Sequence, residues 1–457
     1  MKTPQYNNAP PEARLGTGAK VGFGIADFGF NLFYTGLNLF LLYYYTDVLG
    51  IRPAVAGLIF ALPLLWDAVT DPVMGVIAAR TRSRWGSYRP YLIFGIVPLA
   101  LSFVMMFAAP LFFPSAVILA SAAAHVVFRT CYTVVSIPYS ALSARMTRSS
   151  SERGALAGVR MIFATTGGLF TVFTMLPLAN WLGSSDLKLG FVWVSVVYGM
   201  LACVIFLVTF ASTHEQPLPV ANKPQGLQDI WRVLRGNRAL WILLGAIVFG
   251  ATGSAIFGKA LVYYVKYVAG LEISITTALV ALTAAVSVSV PIWMFASTRL
   301  EKRTVWLSGA AATLAAQSLL YFTPPQTPTL FLAVIVLLGF GTAAFNVTFW
   351  SMLPDTVEYG QWRSGVRNEG VVFGINQLAL KAASGLGIGA LGMLLEMIGY
   401  VANQPQSAET VAALRHVAIL LPLALGILSA CIISLYPINR KLHGRLLKII
   451  DRRQLRP

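Results

Sequence analysis

Charged residues are scarce in this 457-residue chain: they make up 11% of it, against about 25% in an ordinary soluble domain, while 57% is hydrophobic. That balance excludes a soluble enzyme. Cysteine is nearly missing. Cys131, Cys203 and Cys431 each fall inside an apolar stretch without paired or metal-type spacing, which excludes a disulfide framework and a zinc site. The four histidines, His125, His214, His416 and His443, are scattered among different segments, and no nucleophile–base pair or metal cluster accompanies them. A membrane enzyme therefore lacks its chemistry, and no cofactor is expected. Acids number only 17 against 34 Lys and Arg, a formal net charge of +17. The basic residues lie in short runs between apolar segments rather than on one polar domain, so no nucleic-acid partner is expected. Residues 1–19 are polar and proline-containing, with no short apolar region ending at a small-residue cleavage site, so no cleavable signal peptide is expected. Neither terminal segment is long enough to fold alone as a sensor domain.

What is abundant is long apolar runs. A membrane span needs about 20 mostly apolar residues, and twelve such windows recur, near 21–46, 53–79, 91–113, 116–144, 154–181, 190–211, 239–268, 275–298, 305–322, 330–353, 371–398 and 417–435. The chain reads as an all-α integral membrane protein with twelve transmembrane helices in two six-helix halves. Basic residues cluster after even-numbered spans: Arg80, Arg82, Arg84 and Arg89, then Arg145, Arg148 and Arg153, then Arg299, Lys302 and Arg303. The tail adds Arg440, Lys441, Arg445, Lys448, Arg452, Arg453 and Arg456. The positive-inside rule then places both termini in the cytoplasm. The expected organisation is an N-terminal half over 1–212, a central loop over 213–238, a C-terminal half over 239–437 and a basic tail over 438–457. Within the loop, apolar residues of 227–235 recur at helical spacing, as in a short interfacial helix, though a solvated linker is the alternative. Paired glycines four apart, Gly154/Gly158 and Gly370/Gly374, open spans 5 and 11, a weak likeness between halves of the kind secondary transporters show.

Six ionisable side chains sit well inside the spans: Asp27, Asp67, Asp71, Arg129, Arg160 and Lys381, which sum to zero charge. At about 2.5–3.5 kcal/mol each on insertion scales, six unpaired groups cost roughly 15–20 kcal/mol, more than the ~5–15 kcal/mol by which proteins are stable. They must pair or face a wet cavity. Asp67 and Asp71 are four apart, on one helical face one turn from each other, where a small cation or a proton relieves their repulsion; ion pairs to Arg129 and Arg160 are the alternative. His125, Arg129 and Thr133 form a polar stripe on span 4, which a helix–helix seam with Ser/Thr hydrogen bonds also explains. Lys259 either joins the buried set or snorkels.

The segments Leu42-Tyr-Tyr-Tyr-Thr-Asp-Val48, Trp66-Asp-Ala-Val-Thr-Asp-Pro-Val-Met-Gly75 and Thr81-Arg-Ser-Arg-Trp-Gly-Ser-Tyr-Arg-Pro90 resemble motifs of the glycoside–pentoside–hexuronide:cation symporters, the melibiose permease-like family of the major facilitator superfamily. So do Tyr132-Thr-Val-Val-Ser-Ile-Pro-Tyr-Ser140, Ser151-Glu-Arg153 with Arg160, Pro354-Asp-Thr-Val-Glu-Tyr-Gly360 and Gly365-Val-Arg-Asn-Glu-Gly370. The resemblance implies a sugar site between two six-helix halves served by alternating access, in a monomeric functional unit of the bacterial inner membrane. By resemblance, Asp27, Arg160 and Lys381 position the sugar, and Asp67, Asp71 and Thr133 match the cation site, a sodium site in some members. Tyr132, Ser136 and Ser140 stand on the sugar-facing motif of span 4, and Asn376 and Gln377, about one turn before Lys381, are further hydroxyl partners.

Three departures matter. Where melibiose permease joins its two sites with an acid and follows it with an aromatic, this chain has Ser136 and Ser140. Arg129 places a fixed positive charge one turn from Thr133; if it reaches Asp67 or Asp71 it repels sodium and disfavours protonation there. The expectation is then proton coupling through another acid such as Asp27, or uncoupled transport. A lysolipid carrier is the competing cargo, because animal relatives share the run Ile137-Pro-Tyr-Ser-Ala-Leu142, but the polar set Asp27, Arg160, Asn376 and Lys381 favours sugar. Finally, Arg145, Arg153, Asp355, Glu358 and Arg363 are candidates for a cytoplasmic gate of cross-half salt bridges, and a topogenic role explains the arginines equally well.

Overall fold

The computed structural model describes residues 15–147, 150–184, 186–215, 234–269, 273–322, 327–365 and 369–454. Among them, twelve helices are long and apolar enough to cross a membrane, labelled α1 to α12: Thr17–Val48, Pro53–Ala78, Arg89–Phe112, Pro114–Ser143, Ala155–Gly183, Leu187–Ser212, Arg238–Tyr267, Ile275–Arg299, Lys302–Phe322, Pro328–Ser364, Val371–Met397 and Ala408–Ser434. The described residues contain no strand. This is what a bilayer demands, since a helix satisfies every backbone polar group within its own segment. A one-sided basic helix, α13 (Arg440–Gln454), follows. The interfacial helix expected over 227–235 lies almost wholly outside the described residues.

Several span starts are set by side-chain caps. Asn237, Ser274, Thr327 and Ser407 each accept a hydrogen bond from a backbone N–H three residues on, satisfying one of the donors a helix start leaves open. Ser407 starts α12 well before the expected residue 417, because His416 is absorbed into a π-helical turn rather than ending the helix. At α10 the expected end was residue 353, before Pro354. The helix instead continues through that proline to Ser364 and stops where Gly365 adopts φ 75°. In a membrane protein, packed neighbours tolerate the carbonyl that such a proline frees. Asp355 and Glu358 therefore stand on a helix, not a loop.

Contacts divide the chain into two compact units whose boundaries differ from the two equal halves of the sequence reading: Met1–Gly36 with Val69–Ala221, and Leu37–Ala68 with Asn222–Pro457. The first unit is centred on aromatic rings from α1, α3, α4 and α6. Phe33 and Phe103 lie 4.7 Å apart between centroids, Phe103 and Phe128 5.6 Å, and Phe107 stacks on Phe191 at 5.6 Å. In the second unit Trp306, Phe349, Met352, Ile433 and Tyr436 form a core that Leu446 of α13 joins.

The second unit holds the later part of α1 and the early part of α2 through specific contacts. Gly57 of α2 and Gly392 of α11 meet backbone to backbone: a Cβ on Gly392 would lie 2.4 Å from the Pro53 carbonyl oxygen and 2.8 Å from Gly57 Cα. Small residues allow such close approach where no hydrophobic force drives helices together in lipid. Glu396 at the end of α11 pairs with Arg52 and accepts from the Ala54 N–H at 3.2 Å. Gly392→Ala is expected to lower the thermal midpoint of the purified protein by several degrees. Gly158→Ala, whose Cβ meets nothing within 4 Å, is expected to leave it unchanged. Equal midpoints for the two variants in a melting assay would contradict the packing.

Candidate functional site

In the first unit, the charge of Asp27 is met inside the helix bundle. Arg160 Nε of α5 donates to Asp27 Oδ2 at 2.7 Å and Nη2 to Oδ1 at 3.2 Å, a bidentate fork. Tyr139 of α4 donates to the same Oδ2 at 2.5 Å, and the guanidinium lies 4.8 Å from its ring centroid. Asp27 and Arg160 are partly open, with 14% and 29% of their side chains exposed, so a ligand has access to both. Tyr139 itself is buried. A carboxylate with spare lone pairs beside a guanidinium with spare N–H groups offers acceptors and donors at fixed positions, which suits a polyhydroxylated molecule.

On α4 one turn or more away, Thr133 donates to Asp71 Oδ1 at 2.7 Å. Arg129 and His125 are buried on the same stripe. Tyr132 is half-buried, packed edge-on against Phe30 at 5.4 Å and near Phe128 at 5.9 Å. Ser136 is half-buried, and Ser140 is exposed with its carbonyl bound by Ser143.

The second unit holds the remaining members. Lys381 Nζ of α11 donates to the buried Asp67 at 3.3 Å. Asp67 and Asp71, one turn apart on α2, are thus given different partners, an ammonium and a hydroxyl. Asn376 is fully buried, and neither atom of its amide is hydrogen-bonded to any described residue. Gln377, by contrast, is exposed. Lys259 does not snorkel: it is 5% exposed, donates to the Asn38 carbonyl and sits 4.5 Å from the Phe60 ring centroid.

Residues 22–440 match a family model described as MFS/sugar transport protein. The chain belongs to that family. Among its relatives are an uncharacterized symporter, YnaJ, of Bacillus subtilis, 30% identical over 95% of this chain and 94% of its own, and the isoprimeverose transporter of Lactiplantibacillus pentosus, 27% identical over 92% and 88%. A putative 2,3-dihydroxypropane-1-sulfonate exporter of Salmonella typhimurium is 28% identical over 98% and 99%. A bacterial homologue of the human lysosomal transporter Spinster, solved in an inward-facing and unoccupied conformation, superimposes with a TM-score of 0.70 at 14% identity over 94% of this chain and 97% of that one. This family member therefore has the major facilitator fold, as a multi-pass membrane protein.

Two of its gate candidates, Asp355 and Glu358, have partners in their own unit. Asp355 accepts from Lys302 Nζ at 2.8 Å on both oxygens, and His443 of α13 lies 2.5 Å from Glu358 Oε2 and 3.7 Å from Asp355 Oδ1. Arg145 lies 5.8 Å from the Tyr88 ring and Arg363 5.4 Å from the Trp362 ring. The side chain of Arg153 lies outside the described residues.

Sequence reasoning passed over Tyr139 and the cluster around Asp47. Asp47, its side chain wholly buried at the end of α1, accepts from Lys266 Nζ at 2.6 Å, Tyr267 OH at 2.9 Å and Tyr400 OH at 3.0 Å. Burial, reinforced by the Asp47 charge, pushes the Tyr400 phenol above its ordinary pKa, so it stays a donor. The signal was present in the run Tyr43-Tyr-Tyr-Thr-Asp47, an acid just past the apolar window. Asp47→Ala removes the ion-pair partner of Lys266, leaving it the Asn403 amide oxygen at 2.8 Å, and frees the Tyr267 and Tyr400 hydroxyls. Hydrogen exchange over residues 44–52 is expected to accelerate strongly in that variant; unchanged protection there would rule out the clasp.

Proposed function

We propose that this protein is a secondary transporter that imports a sugar or glycoside across the bacterial inner membrane by cation symport with alternating access. The observation that carries the reading is the bidentate Asp27–Arg160 pair with Tyr139, partly open within apolar spans. No folding need accounts for leaving an ion pair open at that depth, and intramembrane ionisable groups mark substrate and ion paths. Sugar hydroxyls donate to Asp27 and accept from Arg160 without either charge being lost. In the second unit Asn376 has an unused amide, a group with the same hydrogen-bonding chemistry. The activity is transport rather than catalysis, and the excess of basic residues in the loops and tail supports cytoplasmic termini.

For coupling, Asp67 already faces the ammonium of Lys381, and Asp71 holds the Thr133 hydroxyl. A metal cation arriving at Asp67 meets a fixed positive charge. With Arg129 buried a turn from Thr133, that argues against sodium and favours a proton as the coupling ion. The alternating-access cycle requires the contacts of the Asp47 cluster to be remade, because they fasten the end of α1 to α7 and to residues 400–403. The monomer is the functional unit.

One relative is named a putative 2,3-dihydroxypropane-1-sulfonate exporter, a different cargo and the other direction, so cargo is tested directly. Proteoliposomes are assayed for uptake across mono- and disaccharides and 2,3-dihydroxypropane-1-sulfonate under imposed proton or sodium gradients. The expected outcome is accumulation of a sugar or glycoside stimulated by an inward proton gradient, and abolished by Arg160→Ala. Stimulation many-fold by sodium and not by protons overturns the coupling assignment. Movement of the sulfonate with no sugar transported overturns the cargo.

A further inference from the structure

Outside the charged sets within the spans, the basic helix α13 has two faces with different surroundings. One is fastened to the second unit. Leu446 lies in that unit's core with Leu442 packed against it, and Ile450, one turn on, is 7% exposed. Asn439 caps the helix start by accepting from the Leu442 N–H at 2.8 Å. The Arg440 guanidinium donates to the carbonyls of Ser297, Thr298, Arg299 and Leu300 at 2.7 to 3.1 Å, where α8 ends. These bonds fix the height of α13. At 25 residues α8 is roughly 37 Å long against about 30 Å of hydrocarbon, so a helix tied to its end lies in the headgroup layer.

The other face is basic. Lys441, Arg445 and Lys448 stand at i, i+4 and i+7, on one side of the helix in a row roughly 10 Å long, and all three are exposed. Among the described residues none of the three is in an ion pair. The acids around the start of α13 are already used: Asp355 by Lys302, Glu358 by His443, and Glu301 by the Arg440 N–H at 3.1 Å. Ile449, 37% exposed, adds an apolar flank beside the row. Setting topology depends on the number of positive charges near a span, whichever way they face. It does not call for cations gathered on one side of a helix that is docked at headgroup height. An acidic protein would answer the charge but gives no reason for that height or for Ile449.

We propose that the Lys441–Arg445–Lys448 face of α13 is a binding surface for anionic phospholipid, independent of the transported cargo. The three cations engage the headgroup phosphates, and Ile449 meets the upper part of an acyl chain. Basic residues close to a span end attract anionic headgroups in this way, each adding to the affinity. Because the opposite face of α13 is packed on the second unit, the lipid binds a preformed row of charges and orders no new helix.

The test titrates the delipidated full-length protein, in a neutral detergent, with dioctanoyl phosphatidylglycerol or dioctanoyl phosphatidylcholine and reads bound lipid by native mass spectrometry. The purified protein already has its topology, so the topogenic role of the charges does not enter. Saturable binding of phosphatidylglycerol about tenfold tighter than phosphatidylcholine is expected, with the preference shrinking as salt rises. Lys441→Gln with Arg445→Gln and Lys448→Gln is expected to bring the two lipids to equal affinity at an unchanged thermal midpoint. Lys441→Arg with Lys448→Arg is expected to keep the preference. So is Arg80→Gln with Arg82→Gln and Arg84→Gln, which removes the same number of exposed charges from a loop of the first unit. Equal binding of the two lipids by the parent, a preference that survives the α13 variant, or an equal loss in the loop variant overturns the surface. Full displacement of the lipid by an equimolar polyglutamate peptide assigns the face to an acidic protein and overturns it as well.

Discussion

A charge inside a bilayer has to find its counterpart within the protein, and the arrangement of this molecule follows from that requirement. Asp27 finds Arg160, Asp67 finds Lys381 and Asp47 finds Lys266, each pair within one compact unit. The pairs also dictate which helices travel together. Asp47 with Lys266, Lys259 with the Asn38 carbonyl, and the Gly57–Gly392 approach together tie residues 37–68 to the C-terminal spans, although the sequence assigns them to the first half.

The twelve spans were legible because span length and apolar content are dictated by bilayer thickness, a property of composition. The six intramembrane charges could likewise be listed from the sequence, but Lys259 and Asp47, which are buried as well, were not in that balance. Pairing was not legible in the same way. The partner of an acid such as Asp67 lies hundreds of residues away on Lys381, and only the helix packing selects it from Arg129 and Arg160. Tyr139 escaped notice because it sits beside Ser140 in a motif where the serines drew attention, yet its hydroxyl is the one that reaches Asp27. Gln377 and Asn376 illustrate the limit at one-residue resolution: adjacent amides, one exposed and one fully buried. The same holds for His443, an unremarkable tail residue by sequence that the fold sets against Glu358.

Membership of the MFS/sugar transport family and the geometry of the Asp27 fork bear on different questions. The family supplies the fold and the transport cycle, and relatives at similar identity carry different names, an isoprimeverose transporter and a putative sulfonate exporter. On α4, Ser136 and Ser140 bring no charge and no ring, and Tyr139 between them carries the hydroxyl that reaches Asp27. In the second unit Lys381 pairs with Asp67.

In the proposed function, Asp27 and Arg160 neutralise one another for folding yet are kept partly open for cargo. Sugar counterflow in proteoliposomes, which needs no coupling gradient, is the direct measurement, applied to the doubly neutral variant Asp27→Asn with Arg160→Gln. The account predicts a protein as thermally stable as the parent that has lost counterflow by at least a hundredfold. Counterflow at the parent's rate in that variant would show that the pair is only a structural tie and would contradict the account.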